Sequence, residues 1–265
     1  MIELPDVERM IEAISGYTTG KTISQVLVDD PVVVDIDLDL AEQQLENHAI
    51  DSVERHGRYV VIRFRSEYSL LFDMGDDGHV RLESQTAPAT ERTKVRLQFA
   101  AGRELRFSSS GSEGVVSVVH HDELTGAGAL DDLGIDPLSE DLTAERFAHL
   151  ADDNPRSTLK GFLMNERAIA GIGNDYADEI CFQSGIRPDE KLANLVPDQL
   201  HRVHRYLKRV LRRATLHWGA ARSDPGWLIN SRDRGSSCPR CSHALQSLRV
   251  TGRKTVICPR CQRAA

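Results

Sequence analysis

Four of the five cysteines fall in the final stretch of the chain, as Cys238-Pro-Arg-Cys241 and Cys258-Pro-Arg-Cys261. Two residues lie inside each pair and sixteen between the pairs. At that spacing two tight turns can present four thiolates to one tetrahedral Zn²⁺, with bonds of about 2.3 Å. Two disulfides are the alternative, but so compact a pair of pairs favours metal. A closed set of four sulfurs leaves no coordination position for a substrate, so the single Zn²⁺ expected here is structural. Residues 245–257 read as a β-hairpin turning at Thr251-Gly252. The end of the chain is therefore a small module held together by its ligands.

The net charge of −7 conceals a division. From Arg187 onward there are 17 Lys and Arg against 5 Asp and Glu, a balance of +12, which leaves −7 − 12 = −19 for residues 1–186. Arg202, Arg205, Lys208, Arg209, Arg212 and Arg213 alone would read as a solvated helix face. Joined to Arg240, Arg249, Arg253, Lys254, Arg260 and Arg263 of the cysteine module, they point to a polyanion, with nucleic acid favoured. The acidic front half must then turn its charges away from that face. No apolar run approaches the roughly 20 residues of a membrane span, and no signal-peptide pattern opens the chain. These absences, with cysteines read as thiolates, lead us to expect a cytoplasmic, nucleoid-associated protein without a membrane partner, acting as a monomer.

A length of 265 residues suits two cores and a small appendage. Residues 5–14 read as an amphipathic helix, with Pro5 at its first position and Val7, Met10, Ile11 and Ile14 on one face. From Lys21 to about His121 the pattern is β, in short runs such as Tyr59-Val60-Val61-Ile62 and Val95-Arg96-Leu97-Gln98-Phe99, which suggests two packed sheets. The acids of residues 35–46 read as solvated surface, and residues 125–140 as a Gly- and Asp-rich linker. Helical periodicity follows over residues 143–151, 155–164, 175–185 and 197–218. The expected class is α+β. A β-rich domain spans residues 1–130, a helical domain 131–232 and the zinc hairpin 233–265.

Outside the cysteines, the most specific run is Ala170-Gly171-Ile172-Gly173-Asn174-Asp175-Tyr176-Ala177-Asp178-Glu179. Two glycines separate helical segments, and Asn174 stands where an N-cap belongs. Successive N–H groups there can converge on an anion, with Lys160 one helix earlier to add charge. On physical grounds alone an ordinary helix turn accounts equally for a GxG pair.

That run resembles the formamidopyrimidine-DNA glycosylase/endonuclease VIII family. So do Glu3-Leu4-Pro5-Asp6-Val7-Glu8, Leu133-Gly134-Ile135-Asp136-Pro137-Leu138, Leu159-Lys160-Gly161-Phe162-Leu163 and the cysteine module, in order over nearly the whole chain. The resemblance implies an N-terminal two-sheet β-sandwich with a flanking helix, a helix–two-turn–helix domain and a C-terminal zinc-finger β-hairpin. It implies double-stranded DNA, damaged or abasic, as the partner. It carries Lys160 and Asn174 over as phosphate ligands, and Arg253 as the zinc-finger arginine that meets DNA. The chemistry it implies is base excision with abasic-site lyase activity, in which an N-terminal amine attacks C1′ to form a Schiff base and Glu3 handles protons.

The chain departs from the family pattern at several places. Position 2 is Ile2 rather than proline, so the nucleophile would be a primary amine exposed by loss of Met1. The family lysine of a Gly-Lys-Tyr run appears as Arg58 in Gly57-Arg58-Tyr59. Arginine keeps the charge but cannot lend a neutral amine. A void-filling methionine aligns with Asp76, and a second void-filling loop with residues 109–114. The stretch between Trp218 and Asn230 is short where some members carry a loop over 8-oxoguanine. Three functions fit these residues: a DNA glycosylase and abasic-site lyase using the Ile2 amine, Glu3 and Arg58; a catalytically lapsed protein that binds lesions or DNA structures; or a degenerate paralogue whose acidic front domain serves a protein partner. His120, His121, His201 and His204 read as packed or solvated rather than as metal ligands, and Cys181 as a small buried apolar residue.

Overall fold

The computed structural model describes all residues except 1, 32–33, 36, 112–114, 125–129, 217–224, 233–235 and 264–265. Chain contacts divide it into two compact units. The first holds residues 1–2 and 6–132, and the second holds residues 3–5 and 133–265.

Helix α1 (Leu4–Thr18), which belongs to the first unit from Asp6 onward, runs four residues beyond the expected end. Val7, Met10 and Ile14 recur at helical spacing and are buried. Two sheets follow. Strands β1 (Ile23–Val28), β7 (Thr93–Phe99), β8 (Arg103–Ser108) and β6 (His79–Ser84) lie in that order in an antiparallel sheet. The second sheet has the order β2 (Val34–Asp35), β9 (Val116–His120), β5 (Tyr68–Asp73), β4 (Tyr59–Phe64) and β3 (Ile50–His56). Alternate residues of both sheets meet in one core. Val95, Leu97 and Phe107 come from one side and Val60, Ile62 and Phe72 from the other. Phe72 and Phe107 rings stand 5.5 Å apart across the sandwich. The expected two-sheet sandwich is present.

The acidic run hides an element missed in sequence. Helix α2 (Leu38–Leu45) starts at Asp37, whose carboxylate accepts the Leu40 N–H at 3.1 Å, and it buries Ala41 and Leu45. Glu46 is not simply solvated either: it accepts the Val26 N–H at 2.7 Å.

The second unit begins in what looked like linker. Residues 134 and 135 donate to the carbonyls of Glu166 and Ala168 at 2.6 and 3.1 Å. A Cβ at Gly134 would sit 2.2 Å from the Ala168 carbonyl carbon, so only glycine lets the two backbone segments approach. Five-residue α4 (Leu159–Leu163) is shorter than its periodicity suggested, because Thr158 caps it. Helix α3 (Ala144–Asp152) is capped by Thr143. Helix α5 (Asn174–Ser184) stops at Gly185, which takes φ +74°. Helix α6 (Pro197–Leu216) opens on proline and buries Leu200, Val203, Leu207, Val210, Leu211 and Ala214 along one stripe. The hairpin β10 (Gln246–Val250) and β11 (Arg253–Ile257) turns through Thr251 (φ 49°) and Gly252 (φ 77°). Two successive positive φ values make the tight turn whose twist matches the strands. Among the described residues no helix is long and apolar enough to cross a membrane.

Candidate metal centre and nucleic-acid interface

The four cysteine sulfurs lie within 4.8 Å of one another. Cys238 and Cys261 sulfurs are 3.8 Å apart, and those of Cys241 and Cys258 are 3.5 Å apart. A tetrahedron with bonds of about 2.3 Å has edges of about 3.8 Å, so the residues present fit one Zn²⁺. Gln262 braces the second knuckle, accepting from the Cys258 N–H at 2.9 Å and donating to the Ile186 carbonyl at 3.1 Å. The first knuckle is held by Arg240, whose guanidinium stacks 4.5 Å from the Phe182 ring and donates to Gln183 at 2.8 Å. The ion supplies the hairpin's missing core: few apolar residues are buried here besides Val256, Phe182 and Leu228.

The glycine-rich turn is built differently from expectation. Asn174 is not the N-cap but the first helical residue. Gly173 holds the cap position and offers no side chain, so the cap comes from Glu3. The Glu3 carboxylate, 4% exposed, accepts the N–H groups of Gly173 (3.2 Å), Asp175 (2.8 Å) and Tyr176 (3.1 Å). A negative group at a helix N-terminus meets both the unpaired N–H groups and the favourable end of the dipole. A Cβ at Gly173 would come within 2.5 Å of the Glu3 Cδ, so the glycine exists to admit that carboxylate. Gly171, at φ +82°, turns its carbonyl to accept the Leu4 N–H at 2.9 Å. Asn174 remains beside the turn, partly exposed, with its side-chain oxygen buried and unpartnered.

Lys160 is wholly buried. Its ammonium donates to Asp178 at 2.6 Å, to the Thr255 hydroxyl at 2.7 Å and to the Lys254 carbonyl at 3.4 Å. Three acceptors use its three protons. Burial pulls its pKa down, against the pull of Asp178, and pushes Asp178 up, against Lys160 and Arg232. Asp178 also accepts the Val256 N–H at 3.1 Å and pairs with Arg232 at 3.1 Å. Arg232 reaches on to Asp175 at 2.6 Å. These contacts clasp β11 to α4 and α5. In this geometry Lys160 is a strut under the hairpin, whereas Arg253, at the hairpin turn, is exposed.

Thr255 and Arg232 were not singled out in sequence, and within the glycine-rich run the roles of Gly173, which admits Glu3, and of Asp178, which pairs with Lys160, were not foreseen. Asp178 and its neighbour Glu179 did leave a signal: they are acids set between Ala177 and Ile180-Cys181, all of them buried. Burial pushes the Glu179 carboxyl up to about 7, although it accepts from Gln183 (2.6 Å) and the Ile229 N–H (2.8 Å).

In the first unit, Ile2 is half-buried against the sandwich core. The Arg58 guanidinium lies 3.4 Å from both oxygens of Asp73. Asp76 is exposed on its loop. Asp77 binds the neighbouring loop, accepting the Ser109 hydroxyl at 2.9 Å, the Ser110 N–H at 3.2 Å and the Ser110 hydroxyl, and it pairs with Arg92 at 2.7 Å. The Ser110 hydroxyl, first among these, holds its carboxyl below the usual range. Met1, the end of the 109–114 loop and residues 217–224 of the shortened stretch lie outside the described residues. The histidines make ordinary contacts: His121 and His204 meet the carbonyls of Tyr68 and Leu142 at 2.9 and 2.8 Å. Cys181 is fully buried, and burial pushes its thiol well up.

Comparison with known proteins places these parts. Residues 1–112 match the formamidopyrimidine-DNA glycosylase N-terminal domain and residues 133–223 its H2TH domain. Residues 235–264 match the zinc finger found in FPG and IleRS. The formamidopyrimidine-DNA glycosylase of Marinobacter nauticus is 31% identical over 278 residues, covering 99% of this chain and 100% of that one. That of Colwellia psychrerythraea is 30% identical, covering 99% of each. The Lactococcus lactis Fpg bound to abasic-site DNA has the same fold, with a TM-score of 0.88 at 24% identity, over 98% of this chain and 99% of that one. The same protein bound to DNA containing N7-benzyl-Fapy-dG gives a TM-score of 0.88 at 23% identity, with the same coverage. The chain is a member of the formamidopyrimidine-DNA glycosylase family.

Proposed function

We propose that the protein is a base-excision DNA-repair protein that binds damaged or abasic duplex DNA. In this reading it removes the base and cleaves the abasic site through a Schiff base on its N-terminal amine. The observation that carries the reading is the Glu3 carboxylate. It is buried, accepts three backbone N–H groups at the head of α5, and is spared a clash only by Gly173. A carboxylate so fixed cannot wander, and orientation is worth orders of magnitude in rate. Ile2 directly precedes it. With Met1 removed, the Ile2 amine attacks C1′ of the damaged nucleotide as the base departs with its bonding electrons. Glu3 takes one proton from the attached amine and returns it to O4′ as the C1′–O4′ bond breaks, so that the nitrogen lone pair closes the C=N bond of the iminium and the ring opens. Asn174 and Arg253 contact the phosphates, with Lys160 setting the height of the Arg253 hairpin. We place this activity in the cytoplasm, on nucleoid DNA.

A second reading, a lesion-binding protein without excision, is favoured by Ile2 in the proline position, by exposed Asp76, and by Asp77 tying down the adjoining loop. One experiment separates the two. Borohydride is added to the protein with duplex DNA carrying an abasic site, alongside N-terminal mass determination. An adduct that vanishes when the N-terminal amine is acetylated supports the lyase. Tight binding without an adduct, on protein shown to begin at Ile2, supports the binding protein.

A further inference from the structure

Helix α6 carries a feature that the family assignment does not use. Arg202, Arg205, Arg209 and Arg212 are exposed, and their spacing of 3, 4 and 3 residues sets them on one face. At about 100° per residue they fall within an arc of about 80°, opposite the buried stripe. Over ten residues the row is about 15 Å long. That length covers about four successive phosphates of one duplex strand, at roughly 3.4 Å of axial rise each. Lys208, between them, donates to the Ser139 carbonyl at 2.5 Å, and Arg212 reaches exposed Glu140 at 3.8 Å. The only acid in the helix itself is Asp198, in its first turn. Like charges at these spacings cost a helix about 0.2–0.5 kcal/mol per pair, so folding does not require the row.

The row has a direction. Arg209 and Tyr206 line a cavity of about 290 Å³ with Gln183, Trp227 and Arg240, so the basic face continues onto the first zinc knuckle. Gln183 lies nine residues along α5 from Asn174, about 13.5 Å of helix. Asn174 heads α5, whereas the α6 row and Arg240 gather at its tail. The guanidiniums of Arg205 and Arg209 flank the Tyr206 ring at 5.5 and 6.0 Å, which holds both side chains near the helix surface.

We propose that the α6 row is a second phosphodiester-docking surface, which holds an undamaged stretch of duplex DNA separate from the duplex held at Asn174 and Arg253. The proposal rests on the reading of the protein as one that works on duplex DNA. Charge complementarity and the match of length to phosphate rise select this occupant. A protein that grips two segments can pass between them without returning to free solution.

The test first saturates the protein with a short hairpin duplex containing an abasic-site analogue. It then titrates a fluorescent undamaged duplex of about 20 base pairs and follows anisotropy from 50 to 200 mM salt. Four phosphate contacts predict a log–log salt slope of about −3.6, or about a hundredfold loss of second-duplex affinity across that range. Replacing Arg202, Arg205, Arg209 and Arg212 together by Gln should weaken second-duplex capture at least tenfold at 50 mM salt, with first-duplex affinity and melting temperature unchanged. The matching quadruple Lys variant should restore capture, which guards against a folding defect. Saturation of the wild type at one duplex, or equal capture by the Gln variant, overturns the proposal. The Asn174→Ala/Arg253→Ala variant keeps the two readings apart. If it leaves first-duplex affinity untouched, the primary interface is wrongly placed, while the Gln variant still reports on α6.

Discussion

Replacing Asp178 by Asn separates two accounts of Lys160 that predict opposite signs. Lys160 and Asp178 are both fully buried and 2.6 Å apart. Asn keeps the size of the side chain and removes the charge, leaving an ammonium in the interior with neutral acceptors. Breaking one side of a buried pair costs about 3–5 kcal/mol. The cost has a ceiling, because Lys160 can release its proton instead. From an ordinary lysine pKa of about 10.4, neutralisation at pH 7 costs about 3.4 × 1.36, or about 4.6 kcal/mol. A neutral Lys160 then gives a pH signature. Between the variant's lowered folded pKa and about 10.4 the unfolded chain holds one more proton, so stability rises with pH by about 1.36 kcal/mol per unit. Urea unfolding at pH 7, 8 and 9 measures both quantities. We expect a loss of about 3–5 kcal/mol at pH 7 that shrinks by about 1 kcal/mol or more per pH unit, with weakened DNA binding as the Arg253 hairpin loosens. If Lys160 were instead a direct phosphate ligand, removing the competing carboxylate would free it and strengthen DNA binding. A loss under about 1 kcal/mol at pH 7, or tighter DNA binding, refutes the strut.

The turn that admits Glu3 is as sharply testable. Gly173→Ala places a methyl group 2.5 Å from the Glu3 Cδ. The carboxylate must move by about 1 Å, and turnover of abasic-site DNA should fall about a hundredfold with zinc content unchanged; near-normal turnover would remove Glu3 from the reaction. Chelation of the ion, or Cys258→Ser, should unfold the hairpin and lower DNA affinity as far as Arg253→Ala does. A Cys258→Ser protein with wild-type affinity would show that the hairpin folds without its metal. Glu179 should leave a mark on stability at mildly acid pH. Its folded pKa of about 7 lies above the ordinary value of 4.5, so the folded state holds the extra proton between them and stability falls as pH rises through that window. The fall is about 3 kcal/mol in all, and Glu179→Gln should flatten it; superimposable pH profiles of the two proteins would show that Glu179 does not titrate there.

Local physics made much of this protein readable. The four cysteines at metal spacing, the alternating runs of the sandwich and the apolar stripe of α6 each follow from neighbours within a few residues, and each stands in the structure. The hairpin turn at Thr251-Gly252 was legible for the same reason, since Gly252 takes its positive φ of 77° without steric cost. Where sequence reasoning failed, the partner lay far along the chain. Asn174 looked like a cap because cap residues act on their own helix, yet the capping carboxylate belongs to Glu3, more than 170 residues away. Residues 125–140 looked like linker because glycine and aspartate open most loops, and only the Ala168 backbone against Gly134 reveals that residues 134–135 are packed.

The sequence by itself determined the family, the zinc set, the acidic and basic halves and the candidate residues Ile2, Glu3, Arg58, Lys160, Asn174 and Arg253. Tertiary structure alone decided how two of these are held. Composition cannot tell a lysine that faces solvent from one whose three protons are spent inside, because that depends on Asp178, Thr255 and Lys254 arriving from two other elements. Nor can it tell a free glutamate from one fixed by three N–H groups at the end of a helix. Charge is written in the chain, but its direction and its solvent are set only when distant segments pack against it.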